Sequence, residues 1–431
     1  MKARITINIT LLFLLTAACQ LHLSRQDPPP EPDRQPRIVN PLAVPGQEIR
    51  HPDTYSIQLF RSGSQQSPPI IRLDSDQTLT LRFDMIETRS RQFRIRLTHH
   101  NPDWSRSPLP PEEFMEGFAE ATFGGGRPST GQRPSYRHYE YSLPNRQLRM
   151  TRSGNYMLHV RDYETGEQIF SLPFFIEENE GDMNLRVEER ITPRRDMRIG
   201  HIPKTTYIYP DFVDMPQFDL SFYYTQNQFW GRTREADVWD VATPGEVFFE
   251  LSRDNLFTGD YEVLPLNLSR LDRIGRQVRE YRPDEVPPLL LLDIDIQGLL
   301  NASRQVPSGR FGRPNPDLDA NYGNLHFSFR PRSAIGENAA IYLAGDFNGW
   351  AIQNRLRMEL NPEDSTWHVR TFVKEGSYAY KYLLVENGEI RDLALDDTFT
   401  RSRQEYISFV YYRDPERHYY RLLKTGTVRS N

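Results

Sequence analysis

Residues 99–104 read His-His-Asn-Pro-Asp-Trp and form the densest polar constellation of the chain. Imidazole and carboxylate are ordinary metal ligands. Adjacent side chains of a strand point to opposite faces, however, so His99 and His100 cannot close on one ion without a bend. A strand that ends in a turn accounts for them better. Asp396 and Asp397, and the acidic run 177–180 with Glu177, Glu178 and Glu180, lack the glycine-spaced pattern of a calcium loop and read as solvated loops. The 431 residues contain no Gly-x-Ser-x-Gly elbow, no phosphate-cradling glycine loop before a helix, no His-Glu-x-x-His and no Cys/His cluster. These observations point to a non-enzymatic chain with no catalytic, cofactor or metal residues. Among functions with a site, paired carboxylates brought together by the fold are what a motif search would miss.

The elements available to position such residues are strands. Hydrophobic residues make up 37% of the sequence, with 22 Tyr and 24 Phe, a balance expected of sheets with aromatic cross-strand pairs. Period-two runs occur at 55–60, 79–83, 93–97, 156–160 and 170–174, with turn residues between them, as in an immunoglobulin-like sandwich. One short helix is expected at 111–118, where acidic residues follow Pro111. After the acidic run the pattern restarts at 220–224, 247–251 and 289–296. It restarts again, past the Gly/Pro-rich stretch 306–316, at 325–329, 340–343, 367–372, 378–384 and 406–412. The fold class is therefore all-β, a tandem of β-sandwich domains at 51–180, 181–318 and 319–431. The formal charge of −5, with both signs interleaved, gives no basic face for nucleic acid.

The N-terminus carries an address. Lys2 and Arg4 precede a mostly apolar run over 5–15, a signal-peptide shape too short for a membrane span of about 20 residues. The run ends in Leu15, Thr16, Ala17, Ala18 and Cys19, which resembles the lipobox of bacterial lipoproteins. That resemblance implies cleavage after residue 18 and a lipid on Cys19, which would anchor the chain in a bilayer outside the cytoplasm. Cys19 is the single cysteine, so intramolecular disulfides are excluded. Prolines at 28, 29, 30, 32, 36, 41 and 45 make 19–50 an extended tether.

Gly345, Asp346, Phe347, Asn348, Gly349 and Trp350, followed by Trp367 and by Tyr380, Lys381 and Tyr382, resemble the early-set domains of glycogen-binding modules. The resemblance implies a stacking role for Trp350 and a hydroxyl-binding role for Lys381, while Ile390 stands where those modules usually have a second tryptophan. The competing reading of the same residues is fold chemistry: Gly and Asn for a turn, Phe347 and Trp367 for the core.

Several segments together resemble the plug protein family of the type IX secretion system of Bacteroidota: 57–63 with 69–73, 79–84, 98–104, 114–118, 139–145 and 151–156, then 405–413 and 417–420 after the early-set region. His100 stands where that family often has Cys. The resemblance implies a binding role at the periplasmic mouth of the outer-membrane translocon barrel, closing it when idle. The partners would be that barrel and, through Cys19, the outer membrane on its periplasmic side. The alternative is a glycan-binding surface lipoprotein using Trp350 and Lys381. Trp104, Trp230 and Trp239 are candidate interface anchors on composition, with at least two of them expected in the core.

Overall fold

The computed structural model describes residues 40–430 except 131–133, 193–198, 269–270, 272–276, 300–312 and 397–402. The expected signal peptide, Cys19 and the expected tether as far as residue 39 lie outside the described residues.

Alternating hydrophobicity is realised as three two-sheet sandwiches. In the first, Glu48–Ile49, Gln168–Glu177, Gly154–Asp162, Phe93–His100 and Ala121–Phe123 form one sheet, with Ile70–Arg72 running parallel to Gln168–Glu177. Thr54–Arg61, Leu79–Met85, Arg137–Leu143 and Arg127–Pro128 form the sheet that faces it. Leu79, Leu81, Phe83 and Met85 all turn inward. The Phe83 ring stacks on Tyr139 at 5.1 Å and meets Phe93 and Phe170 edge-on at 5.2 and 5.1 Å. Edge-on and offset pairs at such distances stabilise the core beyond their buried area, by about 0.5–1.5 kcal/mol each.

The middle sandwich is not continuous in sequence. Its first sheet contains Asp182–Ile191, Ile199–Ile208, Glu246–Glu250 and Val238–Asp240. Its second contains Arg234–Glu235 and Leu220–Gln226, then the last two strands of the chain, Glu405–Arg413 and Tyr420–Arg429. The run 406–412, expected in the third sandwich, therefore belongs to the middle one. Likewise Leu289–Ile296, expected in the middle, pairs in parallel with Tyr322–Arg330 in the third. The physical reason is the same in both cases: a period-two pattern states which face of a strand is apolar and says nothing about its neighbour. The partners are chosen by packing. With Leu220 opposite Tyr412 and Gln226 opposite Tyr406, Tyr406 and Val410 enter the core in which Phe222 stacks on Phe249 at 4.0 Å.

The third sandwich sets Gly376–Glu386, with Leu264–Leu268, Ala339–Gly345, Glu389–Arg391 and Arg313–Pro314 around it, against a sheet of Val278–Arg282, Leu289–Ile296, Tyr322–Arg330, Thr366–Lys374 and Glu359–Asn361. Two further expectations change. The helix foreseen at 111–118 is one turn, Pro111–Phe114, after which Met115–Gly117 becomes a strand paired with Leu148–Met150. Residues 40–49 do not behave as tether: Leu42 and Val44 are buried, and Glu48–Ile49 adds a strand to the first sandwich.

Candidate interaction surface

The residues with chemical potential are, for the most part, holding sandwiches together. His99 and His100 do point to opposite faces at the end of a strand. His99 donates from Nε2 to the Ser153 carbonyl at 2.9 Å inside a cage of Phe114, Tyr156 and Tyr419, while His100 Nδ1 bonds the Trp104 carbonyl at 2.8 Å. Burial lowers the His99 pKa to about 4, so it is neutral in the cage. Among the described residues no group of three or more His, Cys, Asp or Glu could hold a metal ion.

The acidic clusters are not solvated loops. Glu177 is buried and accepts from the Thr425 amide and hydroxyl at 2.8 and 2.6 Å. Glu178 holds Arg421 at 2.6 Å and accepts from the Ser153 hydroxyl at 2.6 Å. The run thus stitches the first sandwich to the last strand. Asp396 is ion-paired with Lys381, and burial raises its pKa to about 7 against the opposing pull of that lysine. Asp397 lies outside the described residues.

Trp350 and Lys381 both face inward. Trp350 is 2% exposed, donates from Nε1 to Asp346 at 2.9 Å, and presents its ring to the edge of Phe229, of the middle sandwich, at 4.8 Å. Lys381, 3% exposed, donates to the Glu262 carbonyl at 3.0 Å and lies over the Tyr261 ring. A sugar ring has no free indole face to stack on, so the glycan reading is not favoured. The motif around them shows turn chemistry: the Asn348 side chain accepts from the Gly345 amide at 2.8 Å and donates to the Ala351 carbonyl at 2.7 Å, and Gly349 takes a φ of +60°. Trp104 and Trp230 are core, in one cluster with Phe175 and Phe409 where the first and middle sandwiches meet. Trp239 is 46% exposed.

One buried constellation has the composition of an acid–base site. Asp84 receives His138 Nδ1 at 2.6 Å, Lys374 Nζ at 2.9 Å and the Tyr322 hydroxyl at 2.7 Å, and that hydroxyl also shares a 2.8 Å hydrogen bond with Ser56. Burial alone would raise the Asp84 pKa; hydrogen bonds and charge from His138 and Lys374 reverse this and leave it lowered. All five side chains are buried between the first and third sandwiches. A substrate would have to separate those sandwiches to reach them, so the arrangement serves cohesion.

Exposed apolar side chains are concentrated on the loop 209–219 of the middle sandwich, between Ile199–Ile208 and Leu220–Gln226. Phe212, Met215 and Phe218 stand out from it, Phe218 at 73% exposure, and Ile208 precedes it. The loop is nevertheless braced. Buried Val213 anchors it, its amide donating to the Pro210 carbonyl at 3.0 Å. The single turn Pro216–Asp219 is closed by Asp219, whose carboxylate accepts from the Met215 amide at 3.1 Å. Phe212 meets the Tyr412 ring edge-on at 5.4 Å, and the Arg421 guanidinium, held by Glu178, lies 4.8 Å from its centre. Large side chains fixed in solvent on a braced loop are what interface anchors look like before binding. Sequence reasoning looked instead to tryptophans. The available signal was a stretch of 11 residues carrying Phe212, Met215 and Phe218 among Asp211, Asp214 and Asp219, with no Lys or Arg.

Comparison with known proteins fits this frame. Residues 54–178 match the family model described as the type 9 secretion system plug protein 1st domain, a span that opens with the strand Thr54–Arg61 and closes just after Gln168–Glu177. No curated protein matches the chain. A hypothetical protein from Parabacteroides merdae has a similar structure, with 21% identity and a TM-score of 0.76 over 89% of this chain and 99% of its own. That likeness concerns the fold. A B domain of a biofilm associated protein is also similar in part, with 7% identity and a TM-score of 0.21 over 89% of this chain and 87% of its own, too low to carry an argument. Residues 54–178, which make up most of the first sandwich, are thus a type 9 secretion system plug protein 1st domain by that match.

Proposed function

We propose that the chain is the non-enzymatic periplasmic plug of the type 9 secretion system, which closes the outer-membrane translocon barrel while no substrate passes. The match over residues 54–178 carries this reading, because it ties the chain to that system and to a periplasmic or outer-membrane-associated place. The physics of the body supports it. A wide open pore leaks solutes, and blocking it requires an object that resists deformation. Here three sandwiches share seams built from aromatic clusters, such as Trp104, Phe175, Trp230 and Phe409, and from a buried ion pair, Asp84 with Lys374. A lipid on Cys19 would confine this body to the membrane surface and raise its effective concentration at the barrel.

The test is to affinity-tag the translocon barrel in the native organism and ask whether this chain copurifies. Recovery with the idle barrel and loss from cargo-loaded barrel is the expected result. Absence from every form of the complex would remove the reading.

A further inference from the structure

We infer that the loop 209–219 is the docking element of this protein, and that its occupant is a protein surface with an apolar pocket rimmed by Lys or Arg, on the soluble face of the translocon barrel. The inference rests on the plug reading for the partner's identity and on the loop itself for the contact. Phe212, Met215 and Phe218 provide the apolar anchors. Bracing by Val213, Tyr412 and Arg421 means that little conformational freedom remains to be lost on binding, which favours affinity.

Charge selects among occupants. Asp211, Asp214 and Asp219 lie within the loop, and Asp214, Asp219 and Asp414 all act on Tyr412, whose hydroxyl pKa burial raises first and these carboxylates raise further. The nearest braced cation, Arg421, is already paired with Glu178. An anionic bilayer would repel such a rim. A two-fold contact with a second copy would set the same carboxylates against each other, because such an interface is self-complementary by symmetry. A basic rim is complementary, and it would also accelerate encounter in a salt-dependent way.

The test uses the full chain and purified barrel in detergent, with three variants: Met215→Ser/Phe218→Ser, Asp211→Lys/Asp214→Lys, and Leu360→Ser as a control on an equally exposed residue of the third sandwich. Thermal melts confirm folding, since all these side chains are exposed. Loss of two anchors is expected to weaken binding by roughly 30-fold or more. The charge reversal is expected to slow association and to abolish its dependence on salt, and the control to bind like wild type. If wild type binds and the loop variants bind equally well, the docking assignment fails while the plug reading stands. If wild type does not bind the barrel, the plug reading fails and takes the partner with it. Binding to phosphatidylglycerol vesicles, or dimerisation in sedimentation, that disappears in Met215→Ser/Phe218→Ser would assign the loop to a membrane or to a second copy and overturn the proposal.

Discussion

Replacing Lys374 by Met removes the charged partner of Asp84 while keeping a chain of similar length in the seam between the first and third sandwiches. Both side chains are 1% exposed, and the Lys374 ammonium also lies 4.3 Å from the centre of the Tyr136 ring. After the substitution Asp84 keeps His138 and Tyr322 but loses its fixed cation in a site from which water is excluded. Breaking a buried ion pair in this one-sided way costs about 3–5 kcal/mol. Since the hydrogen bonds from His138 and Tyr322 to Asp84 remain, the lower end, about 3 kcal/mol, is the expected loss of stability. The assay is guanidinium unfolding at neutral pH, together with hydrogen exchange of the amides of Leu79–Met85 and Thr366–Lys374, which should lose protection first. Pairing with Asp84→Asn completes a double-mutant cycle, in which the double variant should lose clearly less than the sum of the two single ones. Asp84 has a lowered pKa, so its ionisation contributes stability above the usual carboxylate range that is lost as the pH falls. In Lys374→Met this acid-side slope should flatten. A loss below about 1 kcal/mol, or simple additivity, would mean that the seam is wet and the pair screened, and the reasoning would be refuted.

Other perturbations reach different parts of the body. His99 titrates near 4 in the fold against 6.5 in an unfolded chain, so it contributes stability above pH 6.5 that is lost as the pH falls towards 4. That amounts to about 3 kcal/mol, and in His99→Phe the urea midpoint should depend less on pH between 7 and 4.5 than in wild type. Gly117 has a φ of +110°, and a Cβ there would lie 2.2 Å from the Gln147 carbonyl oxygen. Gly117→Ala should therefore lower stability by about 2 kcal/mol or more in thermal melts, through the hairpin of Met115–Gly117 with Leu148–Met150. Cys19→Ser should move the chain from the membrane to the soluble periplasmic fraction on cell fractionation, and unchanged membrane retention would exclude the lipid as its anchor.

The class of the fold was legible because alternation of apolar and polar residues is a local property. Leu79, Leu81 and Phe83 announce an inward face whatever lies opposite. The same sequence segment hides the fact that its other face is covered too. Asp84 reads as an outward polar residue and becomes the centre of a buried seam, because the third sandwich, some 290 residues away at Lys374, is laid against it. Strand membership failed for a related reason. The chain leaves the middle sandwich after Phe257–Thr258 and returns at Glu405–Arg413, and no local pattern records a return.

The candidate site divides along the same line. Residues 99–104 were read as a strand end and turn from the opposition of adjacent side chains, and the structure agrees. Trp350 could be recognised as an aromatic within a turn motif, but whether an indole face meets sugar or protein depends on Phe229, from another sandwich. The loop 209–219 carries its apolar and acidic composition openly in the sequence. That its aromatic and methionine side chains stay outside depends on Val213 and Pro216 filling the inward places and on Tyr412 and Arg421, from the returning strands, bracing the rest. By itself the sequence determined which residues are apolar, where turns fall and the all-β class, since each follows from neighbours along the chain. The tertiary structure alone decided which sheets are completed by which strands, which charges are buried, and which aromatics remain free, because burial is a relation between segments far apart in sequence.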